Sequence, residues 1–420
     1  MIRVFGTGTG APLSPEAVHS LAGATLVVGA RRHLDGAAPP PGAARIVLGP
    51  LAPALDRIAK HRAEAGDGAR VVVLASGDPG FFGIVRALAE RFGPAALDVR
   101  PGAPSVAVAF ARLGLPWDDA VVVSAHGRDP RTAVNVCFAH PKVAVLTGPG
   151  AGPAELAAGL LYRSGERTLV VATALGDPEH ERVERLTLRE AADREWPDPV
   201  SVVLCLDESR ALSPVRTVAG PAAGPAGWAL DEAEFAHRDS MITKFEVRAL
   251  ALARLGPRTG DLVWDIGAGS GSVAVECARL GAAAVAVEKT ADGVERIRAN
   301  AAAHGVHVRA VHGAAPTVLS DLADPDAVFI GGGGRELPAI VTACARRARR
   351  AVVVAVAALD RVPQVRAALA AAGFAPEGVL LQSSRLAPLP GEVTRLAAAN
   401  PVFLLWGVRS PAGASEGAVQ

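Results

Sequence analysis

At about 150 residues per domain, a chain of 420 residues holds two or three domains rather than one. Half of the residues are hydrophobic, 20% are charged, and 43 basic side chains face 42 acidic ones for a net charge of +1. Those proportions exclude a disordered chain and give no support to a nucleic-acid protein driven by bulk charge. Lys60, Lys142, Lys244 and Lys289 are the only lysines, so nearly all the basic residues are arginine. With abundant Ala and Gly and one tyrosine, Tyr162, this is the coding bias of a G+C-rich genome. The number of arginines therefore does not mark a binding surface. Cys137, Cys205, Cys277 and Cys344 form no C-x-x-C pair. They read as buried thiols, with neither a metal site nor a disulfide framework.

The chain opens directly on a strand, with no basic stretch leading into an apolar run, so no signal peptide is expected. In the first half, strands are expected at Arg3–Gly6, Thr25–Gly29, Val71–Ala75, Val121–Ser124, Lys142–Thr147, Thr168–Thr173 and Ser201–Leu206. Ala/Leu/Arg-rich helical stretches alternate with them, the pattern of an α/β fold. From Glu208 to Asp239 no period is sustained, and Pro214, Gly220, Pro221, Gly224, Pro225 and Gly227 mark a linker over about 210–238. The second half repeats the alternation, with strands at Leu262–Ile266, Ala284–Glu288, Val306–Val311, Ala327–Ile330, Val352–Val356, Val379–Ser383 and Val402–Val408. No helix long enough for a crossover separates the last two, so they should pair antiparallel. The expected domains are 1–209 and 239–410, followed by a disordered tail over 411–420. The longest aliphatic run, Val352–Leu359, falls far short of the ~20 residues that span a bilayer. A cytoplasmic protein with no membrane partner is expected.

The sharper motif lies in the second half. Val263-Trp-Asp-Ile-Gly-Ala-Gly-Ser-Gly271 carries a strand into a turn and then a helix. Its glycines permit positive φ and a close approach of backbone to a ligand. Asp265 stands two residues before the first glycine, and Glu288 ends the next strand, 21 residues after Gly267. A carboxylate there can accept both ribose hydroxyls. The third strand ends near Ala314, whose backbone can edge an adenine ring. The loop Gly331–Gly334 has almost no side chain and should face the transferred group, leaving room for a large flat substrate. This G-x-G-x-G pattern resembles Rossmann-like S-adenosylmethionine (SAM) methyltransferases. Adding Thr243-Lys-x-Glu-Val-Arg248, Glu276 and Asn400-Pro-Val-Phe403 narrows the resemblance. It is to enzymes that methylate carbon 15 of a corrin precursor and decarboxylate its ring-C acetate. The resemblance implies SAM contacts at Thr243, Asp265, Gly267, Ala268, Gly269, Ser270, Gly271, Glu288 and Ala314.

In the first half, Phe5-Gly-Thr-Gly-Thr-Gly10, Ser76-Gly-Asp-Pro-Gly-Phe-Phe82, Arg100-Pro-Gly-Ala-Pro-Ser105 and Ser124-Ala-His-Gly-Arg128 each follow a strand. Together they resemble the tetrapyrrole methylase family, and within it the corrin carbon-5 methylases. That family has two α/β lobes with SAM between them. The resemblance implies contacts at Gly6, Gly8, Gly77, Asp78, Pro79 and Ser105. Thr9 stands where the family's first loop usually has Pro. A carbon-5 domain followed by a carbon-15 domain is similar to a bifunctional fusion of the two activities, with one SAM per domain, no metal and a tetrapyrrole substrate.

Methyl transfer from a sulfonium needs no activated Ser or Cys, and no triad is evident. Arg and Lys side chains must hold the many substrate carboxylates. Lys244 and Arg335 flank the expected cleft, Arg248, Arg385 and Arg128 are further candidates, and His126 can titrate near neutrality. Three other readings stay open. Only the second half transfers methyl, the target is a nucleic acid or a protein, or the glycine loop binds a dinucleotide without catalysis. The family likeness also implies a homo-oligomer.

Overall fold

The computed structural model describes residues 1–10, 12–161, 166–196, 200–212, 219–220, 227–238 and 242–409. The expected tail over 411–420 and much of the expected linker lie outside them. The chain forms two compact units. The first is drawn from Met1–Arg128, Lys142–Ala158 and Arg167–Ala219, and the second from Asp129–Pro141, Gly159–Glu166 and Gly220 onward.

Unit 1 holds two sheets. The first contains β1 (Ile2–Gly6), β2 (Leu26–Gly29), β3 (Ala44–Val47), β4 (Val71–Ala75) and β5 (Leu97–Arg100) in the order β3-β2-β4-β1-β5. Every pairing in it is parallel. Its central strands are apolar on both faces. Ile2, Val4, Val28 and Val73 pack into one cluster, and Phe5, Val27, Val72 and Leu74 into another. A parallel sheet covered on both faces needs such uninterrupted apolar runs. The second sheet contains β6 (Val121–Ser124), β7 (Lys142–Leu146), β8 (Thr168–Thr173), β9 (Arg182–Thr187) and β10 (Val200–Leu206) in the order β6-β7-β10-β8-β9. Only β6 and β7 are parallel within it.

Unit 2 is a seven-stranded sheet of β11 (Leu262–Ile266), β12 (Ala283–Glu288), β13 (Val308–His312), β14 (Ala327–Ile330), β15 (Ala351–Val356), β16 (Glu377–Leu381) and, last in sequence, Val402–Val408. A separate hairpin, β17 (Ser384–Leu389) and β18 (Val393–Ala398), lies between β16 and that final strand, β19. The order is β13-β12-β11-β14-β15-β19-β16, with β19 antiparallel to both of its neighbours. The expected antiparallel end of the sheet is present.

The strands missing from the sequence-based expectation share one property. β3, β5 and β9 are all sheet edges. Their sequences, Ala-Arg-Ile-Val, Leu-Asp-Val-Arg and Arg-Val-Glu-Arg-Leu-Thr, carry charges because one side meets water. The hairpin is likewise absent from the expected strands, its own being largely exposed. The expected linker needs correction from Gly227 onward. That stretch folds onto unit 2, with Ala229 and Phe235 buried in its core.

Candidate active sites

In unit 2, β11 delivers the chain to a loop whose Gly267, Gly269 and Gly271 all have positive φ, at 71°, 58° and 73°. The loop turns into the helix Ser272–Arg279. Two carboxylates shape it. Asp265 is 1% exposed, and its Oδ2 accepts the Ala274 N–H at 3.0 Å. Burial pushes its carboxyl up to about 7, the Glu288 charge adds to that, and the Ala274 N–H opposes it. Its position is beneath the loop, as a brace for the first turn of the helix.

Glu288 ends β12. Its Oε2 accepts from Gly269 N at 3.0 Å, and its Oε1 accepts from the backbone N–H and the hydroxyl of Thr290, both at 3.0 Å. Its side chain lies over Gly293, where an added Cβ would meet Glu288 Cγ at 2.5 Å. The Glu288 carbonyl accepts Gly313 N–H at 2.9 Å, which brings the segment carrying the exposed Ala314 alongside. The four-glycine loop closes the other side. A Cβ on Gly267 would meet Gly332 N at 3.1 Å, and Gly331 N–H donates to Ile266 O. The first glycine loop, Glu288, Ala314 and Gly331–Gly334 thus gather at the carboxyl edge of the parallel strands, where α/β folds bind ligands. The Ser270 hydroxyl is buried within the loop and has no hydrogen-bond partner among the described residues. Positive-φ glycines, a ribose-type carboxylate and an orphaned hydroxyl together fit a SAM-sized ligand.

A strap preceding the helix Phe245–Leu255 holds this loop from outside, and little in the sequence marks it. Asn300 Oδ1 accepts from Ala236 N at 2.8 Å, while its Nδ2 donates to Ala236 O and to Ser270 O at 2.9 and 2.8 Å. Glu276, wholly buried, accepts from Leu230 N and pairs with Arg248 at 3.5 Å and Arg279 at 3.0 Å. Arg248 donates to Thr243 O at 2.7 Å and to Leu230 O, with its guanidinium 4.8 Å from the centre of the Phe235 ring. Arg248 is 0% exposed, so it fastens the strap and is not a substrate anchor. Arg385 is also committed: it forms paired bonds to Glu232 and Glu246, all within 3.0 Å. Lys244 is half-buried at the start of the helix Phe245–Leu255, and Arg335 is exposed just after the four-glycine loop.

In unit 1 the loops after β1, β4 and β5 interlock through glycine backbone. Gly77 N–H donates to Gly8 O at 2.8 Å, and Gly8 N–H to Gly77 O at 3.3 Å. A Cβ on Gly6 would meet Gly102 N at 2.4 Å and Gly77 O at 2.6 Å. Asp78 Oδ1 accepts from Gly80 N at 2.7 Å and fixes that turn, with Pro79 buried beside it. Ser105 opens the helix Ser105–Leu113. The structure therefore brings Gly6, Gly8, Gly77, Asp78 and Pro79 into one cluster with Gly102, close to Ser105. The Thr9 carbonyl lies on Gly176, where a Cβ would meet it at 1.8 Å, so main chain seats this part of the loop. His126 is exposed in the turn after β6, with its ring against Gly148.

The strand order of unit 2, its glycine loop and the carboxylate that ends β12 define a Rossmann-like methyltransferase domain. It is preceded by a two-sheet α/β domain of the tetrapyrrole methylase kind. The family described as tetrapyrrole (corrin/porphyrin) methylases matches residues 1–192, and the precorrin methyltransferase domain matches residues 233–409. A Sinorhizobium protein named precorrin-6Y C(5,15)-methyltransferase [decarboxylating] is 40% identical over 346 residues, covering 80% of this chain and 79% of its own. A Pyrobaculum calidifontis protein named probable cobalt-precorrin-6B C(15)-methyltransferase (decarboxylating) is 36% identical over 39% of this chain and 87% of its own. A Salmonella typhimurium cobalt-precorrin-7 C(5)-methyltransferase is 33% identical over 50% of this chain and 100% of its own. This chain belongs to the family of precorrin-6Y C5,15-methyltransferases (decarboxylating). It is accordingly an enzyme of the transferase class, with SAM as its methyl donor. Among the described residues no cluster could hold a metal ion, and no helix is long and apolar enough to cross a membrane.

Proposed function

We propose that the chain methylates precorrin-6Y twice, at carbon 5 in unit 1 and at carbon 15 in unit 2, where the ring-C acetate is also decarboxylated. One SAM serves each unit. The observation that carries this reading is the arrangement in unit 2: Glu288 bonded to the positive-φ loop at Gly269, with the side-chain-free Gly331–Gly334 against the same loop at Gly267. Relatives named for a single activity each cover part of the chain, the carbon-15 relative 39% of it and the carbon-5 relative 50%.

SAM supplies an electrophilic methyl. In unit 2, Glu288 and the Gly267–Gly271 loop would hold it, and in unit 1 the interlocked loops at Gly6, Gly8, Gly77–Pro79 and Ser105 would do so. The chain contributes position above all, setting the nucleophilic carbon ~3–3.5 Å from the methyl. Lys244 and Arg335 anchor substrate carboxylates in unit 2, and His126 lines the site of unit 1. A carboxylate to be lost as CO2 is best left in an apolar setting while the others are held. The test is mass spectrometry of product from SAM and precorrin-6Y. Two added methyls with loss of one CO2 are expected. One methyl with CO2 loss would limit transfer to unit 2, and turnover only with the cobalt-containing macrocycle would change the substrate.

A homo-oligomer contact belongs to the same proposal. Leu386 and Leu396 face each other across the hairpin and are 78% and 67% exposed. A lone two-stranded ribbon is marginal in water, and pairing with the hairpin of another copy would cover these leucines. Leu386→Glu with Leu396→Glu should lower the mass measured by light scattering; an unchanged mass would remove this contact.

A further inference from the structure

Three neighbouring parallel strands of unit 1, β2, β4 and β1, end together, and the residues that follow them converge. Thr7 follows β1, Ser76 follows β4, and Arg32 and His33 begin the helix after β2. Arg32 donates to Ser76 Oγ at 2.8 Å. His33 Nε2 lies 3.3 Å from Ser76 Oγ, 3.3 Å from Thr7 Oγ1 and 3.4 Å from Arg32 Nε. Thr7 Oγ1, which has one proton, also lies 3.1 Å from Ala75 O.

The proton positions follow from donor chemistry. A guanidinium N–H can only donate, so Nε2 turns a lone pair toward Arg32. Ser76 Oγ accepts from Arg32 and thereby has its proton free to give to Nε2. The result is an unprotonated imidazole nitrogen joined to an exposed hydroxyl, beside an exposed guanidinium, at the edge where ligands of such sheets bind.

We propose that His33 accepts, through the Ser76 hydroxyl, the proton the macrocycle releases when unit 1 methylates it, while Arg32 grips a neighbouring substrate carboxylate. This rests on unit 1 being a methyltransferase. As the new carbon–carbon bond forms, the carbon–sulfur bond of the donor breaks and its electron pair stays on sulfur. The macrocycle, having given an enamine-type pair, is left with one positive charge. Loss of an N–H proton to Ser76 Oγ, as Ser76 passes its own proton to His33 Nε2, restores neutrality. His33 ends as imidazolium and S-adenosylhomocysteine leaves.

Burial, then the Arg32 charge, lowers the His33 pKa below its ordinary value, opposed by the Leu74 backbone. The imidazole is thus a base at neutral pH. β2 and β4, which pack against this helix, carry no charged residue, and on β3 Arg45 bonds to Pro39 O. Arg32 is therefore the charge that acts on His33.

The experiment follows carbon-5 methylation of precorrin-6Y by mass spectrometry across the acid side of neutrality, for the full chain and for His33→Asn, with S-adenosylhomocysteine binding by calorimetry as the check on folding. The full chain should lose rate as His33 protonates. His33→Asn should be slower by ~10²–10⁴-fold, lack that acid limb, and keep two S-adenosylhomocysteine sites. Ser76→Ala should lose the same limb, and it decides the matter should His33→Asn lose a binding site. An unchanged pH profile in either variant that retains both sites overturns the inference. Absence of carbon-5 methylation by the full chain would instead remove the reading of unit 1 on which it rests.

Discussion

The two glycine-rich loops solve one problem by different means. In unit 2, Asp265 braces the loop from below and Glu288 from the side, and the buried Arg248–Glu276 pair and Asn300 tie a strap across it. In unit 1 the Asp78 carboxylate fixes the turn at Gly80, and the loops interlock through main chain. Gly6 and Gly102 pack main chain on main chain at separations a methyl group would close, and Gly8 and Gly77 are bridged by backbone hydrogen bonds. A loop held by charges tolerates some side-chain volume but is sensitive to protonation and to loss of a partner. A loop held by backbone contact tolerates neither volume nor strain but is indifferent to pH.

The largest effect should come from breaking the charged scaffold. Glu276→Gln leaves Arg248 buried without its counter-charge, which costs about 3–5 kcal/mol. Denaturation should show unit 2 destabilised, and S-adenosylhomocysteine stoichiometry should fall from two per chain to one. Two intact sites would mean that the strap does not support the loop. The counterpart in unit 1 is Gly6→Ala, where the added methyl must displace backbone at a cost of about 1–3 kcal/mol. It should remove the other site and spare unit 2; full retention of carbon-5 methylation would show that the interlock can relax.

The pH dependence sharpens the contrast. Asp265 keeps its proton up to about 7 in the folded chain and releases it near ~3.9 when unfolded. Between those values the folded state binds more protons. Its contribution to stability is complete below the lower value and is lost as pH rises toward the higher. Asp265→Asn retains an acceptor for Ala274 N–H and should flatten that slope in urea melts of unit 2; an unaltered slope would place the titration elsewhere. The smallest effect, of opposite sign, belongs to Glu232. The Arg385 bonds foremost, and the Phe245 N–H as well, lower its pKa to about 2 despite burial. That contribution is present above the ordinary glutamate range and is lost as pH falls toward 2. Because Arg385 is 44% exposed, Glu232→Gln should cost no more than about 1 kcal/mol, read as a reduced acid dependence of hairpin proteolysis.

Much of this protein was legible because its central strands are buried on both faces. Leu-Val-Trp-Asp-Ile of β11 and Val-Val-Val-Leu-Ala of β4 must be apolar throughout, and the glycines after them must be glycine. Those two constraints leave a mark in any single sequence, and they carried the α/β class and the candidate SAM loops. The charged edge strand β9 and the exposed β17–β18 hairpin leave no comparable mark, since water replaces one neighbour and polar residues suffice.

Only the tertiary structure decided which charges are available. Arg248, Arg335 and Arg385 look equivalent in the sequence, yet the first is sealed in the core, the second is exposed beside the four-glycine loop, and the third is held by two glutamates. The Arg32–His33–Ser76–Thr7 group is invisible in one dimension for the same reason. Its members are 26 to 44 positions apart across their main contacts and meet only because β2, β4 and β1 are neighbours in the sheet. Local sequence determines what a strand or a turn can be. The order in which strands pair determines which side chains share a site, and that order is set by the packing of the whole domain.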